Sequence, residues 1–344
     1  MEGFTSCPGW QALALGARPQ QADDLEPGEP GEWPRGWQRS AAGAREVFAR
    51  EAMLSGPLAL STQAALLRSQ SGPCGGKVFT VLPTSTLTTI PSAELRVLLL
   101  RRMHLPIPMV ARRCRCQGAL DARGHHCAAC STCGVLRRRG KPLEKAAARV
   151  CREAGARVAE NVLLRDMNIA GISAHDGRNL EVVANGLPLW GGAQLAVDTT
   201  LVCPVRRNGT PQPGAATTDG KQLQTARTRK EQKYHELLAS RRCRLVVLAL
   251  EVGGRWSEEA VRFVRLLAKA KARTVPRLVR PAAKAAFFHR WTGIMAVAAQ
   301  RAFAATLLEL PVDDAGGVDG DMPVLEEVLG DARLTEAPPV SRVV

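Results

Sequence analysis

Two carboxylates stand on two apolar segments that are joined by a connection rich in Gly and Pro. Glu181 lies among Leu and Val residues, and Asp198 lies in a second segment of the same kind. Side chains of a strand alternate between its two faces, so each segment can present its acid on one face. If the strands pair antiparallel across residues 185–192, the acids could converge and hold a hard cation such as Mg²⁺. A plain hairpin with two solvent-facing acids is the alternative.

A cluster of Cys and His precedes these strands. The chain has ten Cys, and five of them lie between residues 114 and 133. The N-terminus shows neither the basic start nor the apolar run of a signal peptide, so we expect no secretion and a metal rather than disulfides. Zn²⁺ takes four N and S ligands tetrahedrally and can fold a segment with little core. The predicted zinc ligands are Cys114, Cys116, His126 and Cys130, and His125, Cys127 and Cys133 stay open as competing ligands.

Positive charge is clustered along the chain. The net charge is +15, and residues 101–152 hold thirteen Lys and Arg. This pattern predicts a polyanionic partner, although Arg-rich codon usage alone could raise the charge. A basic run directly follows the Cys/His cluster, where it could meet phosphates. The predicted nucleic-acid-binding residues are Arg137, Arg138, Arg139 and Lys141.

Helices and strands alternate around these residues, which is typical of an α/β domain. In a basic segment, Lys230 and Lys233 are three residues apart and therefore share one face of a predicted helix. Glu251 ends a buried strand, and Ser257 is the predicted N-cap of the following helix. The predicted elements are a helix over 142–154 with Pro142 at its first position, strands over 157–164 and 244–252, the hairpin, and helices over 257–272 and 281–310. No segment has the 18 uncharged apolar residues of a membrane span.

Several short motifs follow one another in a recognisable order. They are Cys114-Arg115-Cys116-Gln117-Gly118, Asp121, Gly124-His125-His126, Cys130, Arg137 to Arg139, Arg152-Glu153-Ala154-Gly155, Arg178-Asn179-Leu180-Glu181, Val197-Asp198-Thr199-Thr200, Lys230-Glu231-Gln232-Lys233-Tyr234 and Glu251-Val252-Gly253-Gly254. Over about residues 55–310 the chain resembles the C-terminal region of R2-type non-LTR retrotransposon reverse-transcriptase proteins. In that region a zinc knuckle precedes a restriction-like endonuclease with a PD-(D/E)xK core, a mixed sheet flanked by helices.

The resemblance implies a role for each matching residue. Glu181 and Asp198 would be ligands of a catalytic Mg²⁺ or Mn²⁺, and either Lys230 or Lys233 would supply the lysine. Glu251 would be an auxiliary acid. The implied reaction is phosphodiester hydrolysis in DNA, with a structural zinc in the knuckle.

The chain also departs from the family pattern. Glu181 stands where the family usually has Asp, Asn179 replaces a Pro, and Thr200 occupies the in-strand lysine position of the wider superfamily. No polymerase motif is found, and the residues before 110 are too few for a polymerase domain. A catalytically inactive, zinc-containing nucleic-acid-binding remnant of the same element is therefore the alternative to an endonuclease.

Composition, charge and the resemblance together give the expected organisation and location of the chain. The predicted segments are a disordered N-terminus over 1–40, a helical linker over 41–110, the zinc knuckle over 111–140, the endonuclease-like domain over 141–310 and an acidic disordered tail over 311–344. The expected partner is DNA, with element RNA as a further candidate and no membrane. The expected location is the nucleus, otherwise the cytoplasm.

Overall fold

The structure, a computed structural model, describes residues 37–56, 60–108, 113–132, 135–310 and 323–335. The chain divides into two units, residues 1–64 and residues 65–344. In chain order the helices are α1 (Trp37–Ser55), α2 (Thr62–Gln70), α3 (Ser92–Arg102), α4 (His125–Ala129), α5 (Val135–Glu153), α6 (Lys221–Lys233), α7 (His235–Ala239), α8 (Glu258–Ala272), α9 (Arg280–Leu308) and α10 (Leu325–Thr335).

One four-stranded sheet organises the second unit. Its strands are β1 (Arg157–Leu163), β2 (Asn179–Asn185), β3 (Gln194–Val202) and β4 (Cys243–Glu251), and they lie side by side in chain order. The first three strands form an antiparallel meander, and β4 pairs parallel to β3. This mixed sheet flanked by helices confirms the predicted α/β class, and the antiparallel pairing of the hairpin strands is confirmed with it.

Different helices cover the two faces of the sheet. Val182, Val197 and Leu248 belong to the larger core, which packs against α5, α8 and α9. Ala196 and Val247 belong to the smaller core under α6 and α7. The neighbouring strands β3 and β4 are apolar on both faces because helices cover both faces. The site residues therefore sit on a sheet that is packed from both sides.

Capping and amphipathic spacing set the last helices of the domain. Ser257 is the N-cap of α8, as predicted, and its hydroxyl accepts a hydrogen bond from the Ala260 N–H at 3.2 Å. Such a cap contributes about 1 kcal/mol. Within the described residues no helix is both long and apolar enough to cross a bilayer. The 29-residue helix α9 instead packs against α5 and α8.

The helix predicted to start at Pro142 starts earlier. Helix α5 begins at Val135 and carries Pro142 in its interior. Arg139 and Leu143 are four residues apart, on one side of the helix, and both are buried. A continuous inward face thus extends across the proline, and packing outweighs the helix-breaking tendency of that residue.

The two terminal predictions of disorder also differ from the structure. Helix α1 begins at Trp37, inside the segment predicted to be disordered, and residues 1–36 lie outside the described residues. Helix α10 lies inside the predicted acidic disordered tail and packs on α9. Val328 and Ala332, one helical turn apart, are buried there. This apolar pair stabilises a helix in an otherwise acidic segment, and residues 311–322 and 336–344 are outside the described parts.

Candidate functional site

The two predicted carboxylates converge on the face of the sheet that α6 covers. Val182 of β2 pairs with Val197 of β3, and Glu181 and Asp198 are the residues that adjoin this pair. Glu181 Oε2 accepts hydrogen bonds from the Thr199 N–H at 2.6 Å and from the Thr199 hydroxyl at 2.7 Å. The first acid is therefore held against the strand of the second acid, by the backbone and the side chain of one neighbouring residue.

A lysine from α6 completes this acidic pair. Asp198 is 0% exposed, and its Oδ1 accepts a hydrogen bond from Lys230 Nζ. The same Nζ lies 3.8 Å from Glu181 Oε1. The second oxygen of Asp198, Oδ2, is buried and has no hydrogen-bond partner among the described residues. An unpaired buried carboxylate oxygen is costly, and a cation or a bound water would satisfy it.

Burial and charge shift the protonation of Glu181 toward neutral pH. Burial, and next the neighbouring charge of Asp198, raise the pKa of Glu181 to about 7, and Lys230 opposes the shift. Glu144 on α5 acts in the same direction as Asp198. Two like charges in one buried site resist full ionisation, so the site gains from a further positive charge. Glu144 is a neighbour that sequence reasoning missed, because it stands in a basic segment without any site motif.

The two candidate lysines have different contacts. Lys233 Nζ donates to Tyr234 Oη at 2.7 Å, and Tyr234 Oη donates to the Asn179 carbonyl at 2.6 Å. Burial, and next the charge of Lys230, lower the pKa of Lys233. Tyr234 is fully buried, and burial and then Asp198 raise its pKa. Lys230 therefore contacts the acids directly, while Lys233 supports the tyrosine that ties α6 to β2.

Glu251 lies apart from the acidic pair. It pairs with Val202 at the end of β4, whereas Asp198 pairs with Val247. Four residues of strand separate these positions by about 13 Å. Burial raises the pKa of Glu251 to about 7, and a hydrogen bond with Ser69 opposes that shift. The structure thus places the predicted auxiliary acid against the end of α2 rather than beside Glu181 and Asp198.

The turn after Glu251 packs so closely against residues 69–75 that it requires its two glycines. A Cβ on Gly253 would lie 2.5 Å from Ser69 Oγ, and a Cβ on Gly254 would lie 2.5 Å from the carbonyl oxygen of Gly75. The N–H of Gly253 donates to Ser69 Oγ at 3.2 Å. Only glycine permits this approach of two backbones, so the Glu-Val-Gly-Gly motif joins β4 to residues 69–75.

The four predicted zinc ligands come together as a second site. The ligand atoms of Cys114, Cys116, His126 and Cys130 all lie within 4.8 Å of one another. Cys116 Sγ is 3.2 Å from His126 Nε2, and Cys114 Sγ is 3.8 Å from Cys130 Sγ. Three thiols and one imidazole within this radius are a donor set that could bind zinc. The site is called the Cys/His module below, comprising residues 113–130.

Local backbone geometry shapes the Cys/His module. The Asp121 carboxylate accepts hydrogen bonds from the N–H groups of Arg123, His125 and His126, at 2.8 to 3.1 Å, and so caps α4. Gly118 lies under the imidazole, and a Cβ there would be 2.4 Å from His126 Cε1. Residue 118 must therefore be glycine for the imidazole to reach the thiols.

The competing ligands separate from this set. His125 is turned toward α3, where its Nδ1 lies 3.0 Å from Arg101 Nη1. Burial, and next the charge of Arg101, lower the pKa of His125 to about 4, so the ring is neutral at neutral pH. Cys127 packs against the apolar cluster that includes Phe303. The remaining competitor, Cys133, lies outside the described residues.

The predicted phosphate-binding run is largely occupied by the fold. Arg139 is 2% exposed, and it donates to the carbonyls of Ala128 at 2.9 Å and Leu201 at 3.3 Å. Lys141 Nζ is paired with Glu144 at 2.6 Å. Helix α5 turns Arg139 inward, where it joins the Cys/His module to β3 instead of facing solvent as the prediction of a phosphate contact requires. Arg138 is exposed, and the side chain of Arg137 lies outside the described parts.

Comparisons with known proteins add no identification. No protein-family model matches the chain, and no curated protein matches it. The assignment of a function therefore depends on the geometry of the two sites.

Proposed function

We propose that this chain is a metal-dependent DNA endonuclease with a PD-(D/E)xK-type core and a zinc knuckle, of the R2 retrotransposon kind. The observation that carries the proposal is the convergence of Glu181, Asp198 and Lys230 on one sheet face. Support also comes from the strand order, a three-stranded meander followed by a lysine-bearing helix and a parallel fourth strand. DNA is the proposed substrate because the chain carries a net charge of +15.

Each site residue has a distinct task in the proposed reaction. Asp198 Oδ2, which no described residue hydrogen-bonds, and the carboxylate of Glu181 would hold one Mg²⁺ or Mn²⁺. That ion would supply Lewis-acid polarisation of the phosphate and a lowered pKa for a bound water. Lys230 Nζ, in contact with the acids, would orient the attacking water or donate a hydrogen bond to the charge that develops on phosphate. Tyr234, bonded to the Asn179 carbonyl, keeps the end of α6 in place for this role.

The Cys/His module would hold a structural zinc. Its donor set is complete without water, as in structural rather than catalytic zinc sites. Asp121 orients α4 and thereby fixes the imidazole of His126. The nucleus is the proposed location, because it contains the DNA on which such an enzyme would act.

One observation favours the alternative, a catalytically inactive nucleic-acid-binding protein. Lys230 already forms an ion pair with Asp198, and the raised pKa of Glu181 keeps part of that acid neutral at pH 7. A divalent ion must compete with both the lysine and the proton. If it cannot compete, the fold would bind nucleic acid without cutting it.

A nicking assay distinguishes the two functions. The protein is incubated with supercoiled plasmid and Mg²⁺ or Mn²⁺, beside Asp198→Asn and the control Glu160→Gln. Glu160 is a partly exposed acid on β1 that pairs with Arg152, so its loss leaves the site intact. If the chain is an endonuclease, the wild type and the control nick the plasmid, and Asp198→Asn does not. Absence of nicking in all three, with retained DNA binding, would establish the inactive alternative.

A further inference from the structure

The predicted basic run supplies only part of the positive charge that could meet DNA beside the Cys/His module. Arg139 is buried and Lys141 is paired with Glu144, so two of the four predicted phosphate contacts are engaged within the fold. The module nevertheless needs a cationic surface if it is to touch DNA. The connection that leaves β3, residues 203–213, supplies one.

This connection is a short and well-ordered hairpin. Val205 is fully buried and bridges to Pro211. The N–H of Arg206 donates to the Thr210 carbonyl at 2.8 Å, and the N–H of Gly209 donates to the Arg206 carbonyl at 3.0 Å. Asn-Gly at a tight turn, with glycine at φ +81°, is a common hairpin signal. The backbone of the tip is therefore fixed before any ligand binds.

The tip presents two arginines to solvent. Arg206 and Arg207 are both exposed, and neither forms a salt bridge with an acid of the described residues. Most other arginines near the sites have partners, such as Arg178 with Asp176 and Glu236. Because the backbone of the turn is already fixed, phosphate binding has to order only the two side chains, and their guanidinium groups match the phosphate oxygens in a bidentate manner.

The tip also touches the Cys/His module. A Cβ on Gly209 would lie 3.1 Å from Cδ2 of His125, so the turn lies against this imidazole. His125 directly precedes the zinc-ligand candidate His126 on α4. The exposed Arg123 lies two residues earlier, and its charge also acts on His125. Three exposed arginines from two segments thus stand within three residues of the contact between Gly209 and His125.

We propose that Arg206 and Arg207, together with Arg123, bind the phosphate backbone of duplex DNA at the edge of the Cys/His module. The proposal rests on the proposed function, because it takes DNA as the substrate of the chain. Its occupant is a B-form duplex, whose phosphates are spaced closely enough for adjacent arginines to contact neighbouring charges. Such contacts orient the duplex and carry no base sequence.

Counterion release gives the size of the expected effect. Each neutralised phosphate contributes about −0.9 to the slope of log K against log salt concentration. Arg206→Gln with Arg207→Gln should therefore make the slope about 2 less steep. The same relation predicts an affinity about 60-fold lower at 0.1 M salt, with the difference vanishing toward 1 M.

The test measures fluorescence anisotropy of a labelled 30-bp duplex over a salt series, without divalent ions. All variants carry Asp198→Asn, so DNA is not cut. Arg206→Lys with Arg207→Lys should keep the slope. Arg241→Gln with Arg242→Gln is the matched control, since these exposed residues precede β4 at the opposite end of the sheet. Zinc content and circular dichroism verify that each variant is folded.

Each outcome decides the proposal. A loss confined to the Gln pair at positions 206 and 207 supports it. The proposal would be overturned by an unchanged slope or by an equal loss in the control pair. It would also be overturned by a loss seen with RNA but not with duplex DNA, or if the wild type did not bind the duplex. The nicking assay tests the proposed function separately. If the wild type binds DNA through Arg206 and Arg207 but does not nick it, only the endonuclease proposal is rejected. If the wild type nicks DNA and the salt slope of the Gln pair is unchanged, only the proposed binding surface is rejected.

Discussion

Replacing Glu181 with Gln should stabilise the protein in alkaline but not in acidic solution. The carboxyl is buried beside Asp198, and burial raises its pKa from 4.5 to about 7. In the unfolded chain the group returns to its ordinary pKa. The folded state therefore binds a proton more tightly than the unfolded state, and its stability falls as the pH rises between these two values.

The size of the effect follows from the pKa difference. One pKa unit corresponds to about 1.4 kcal/mol, so a shift of roughly 2.5 units costs the folded wild type about 3 kcal/mol once Glu181 is ionised. At pH 5 the cost is still below about 1 kcal/mol. Gln has no charge to lose, and its side-chain oxygen can still accept the hydrogen bonds from Thr199. The stability gain of Glu181→Gln should therefore grow by about 2.5 kcal/mol from pH 5 to pH 8.

Urea unfolding followed by circular dichroism at pH 5, 6, 7 and 8, without added divalent ions, measures this difference. Glu251, whose pKa burial also raises to about 7, is present in both proteins and cancels in the comparison. The control Glu160→Gln removes a partly exposed acid and should stay within about 0.5 kcal/mol of the wild type at every pH. A stability difference that does not change with pH would refute the reasoning about the acidic pair.

Further variants test the other structural features. Gly118→Ala should lower zinc affinity at least tenfold in a chelator competition, because the added Cβ would lie 2.4 Å from the ligand imidazole. The control Gly177→Ala, at a position with open space around it, should leave zinc affinity unchanged. Arg139→Leu should cost about 2–4 kcal/mol in urea unfolding, since it removes the hydrogen bonds to the carbonyls of Ala128 and Leu201. Glu153→Gln should cost about 3–5 kcal/mol, because the buried carboxylate would no longer supply the counter-charge of the half-buried Arg290; equal stability would show that the pair is dispensable.

Local patterns in the sequence predicted the parts of the fold that neighbouring residues determine. The alternation around Glu181 and Asp198 predicted two strands, and a single tight connection left antiparallel pairing as the simple arrangement. Ser257 before two acids predicted the start of α8. The four metal-site residues were predicted from ligand chemistry, because a tetrahedral set needs four donors and this spacing offers them.

Properties that depend on distant contacts could not be predicted in this way. Lys230 and Lys233 share a helix face, and only the position of Tyr234 over β2 decides which lysine reaches the acids. Arg139 was interpreted by its charge, but its direction depends on the buried side of α5. Glu251 follows the acids in chain order, and chain order contains no information about the distance along a parallel strand.

The position of Lys230, on a helix that follows β3 in the chain, has a consequence for synthesis of the protein. The three meander strands are consecutive in the chain, and both acids lie on them. Lys230 on α6 follows Asp198 by 32 residues and is therefore synthesised later. A ribosome adds about 5–20 residues per second, so the hairpin emerges roughly 2–6 seconds before its lysine. In that interval two like charges oppose closure of the hairpin, and Lys230, which lies beside both acids in the folded structure, has not yet been made. Nascent folding of this segment should therefore accelerate when a proton neutralises one acid.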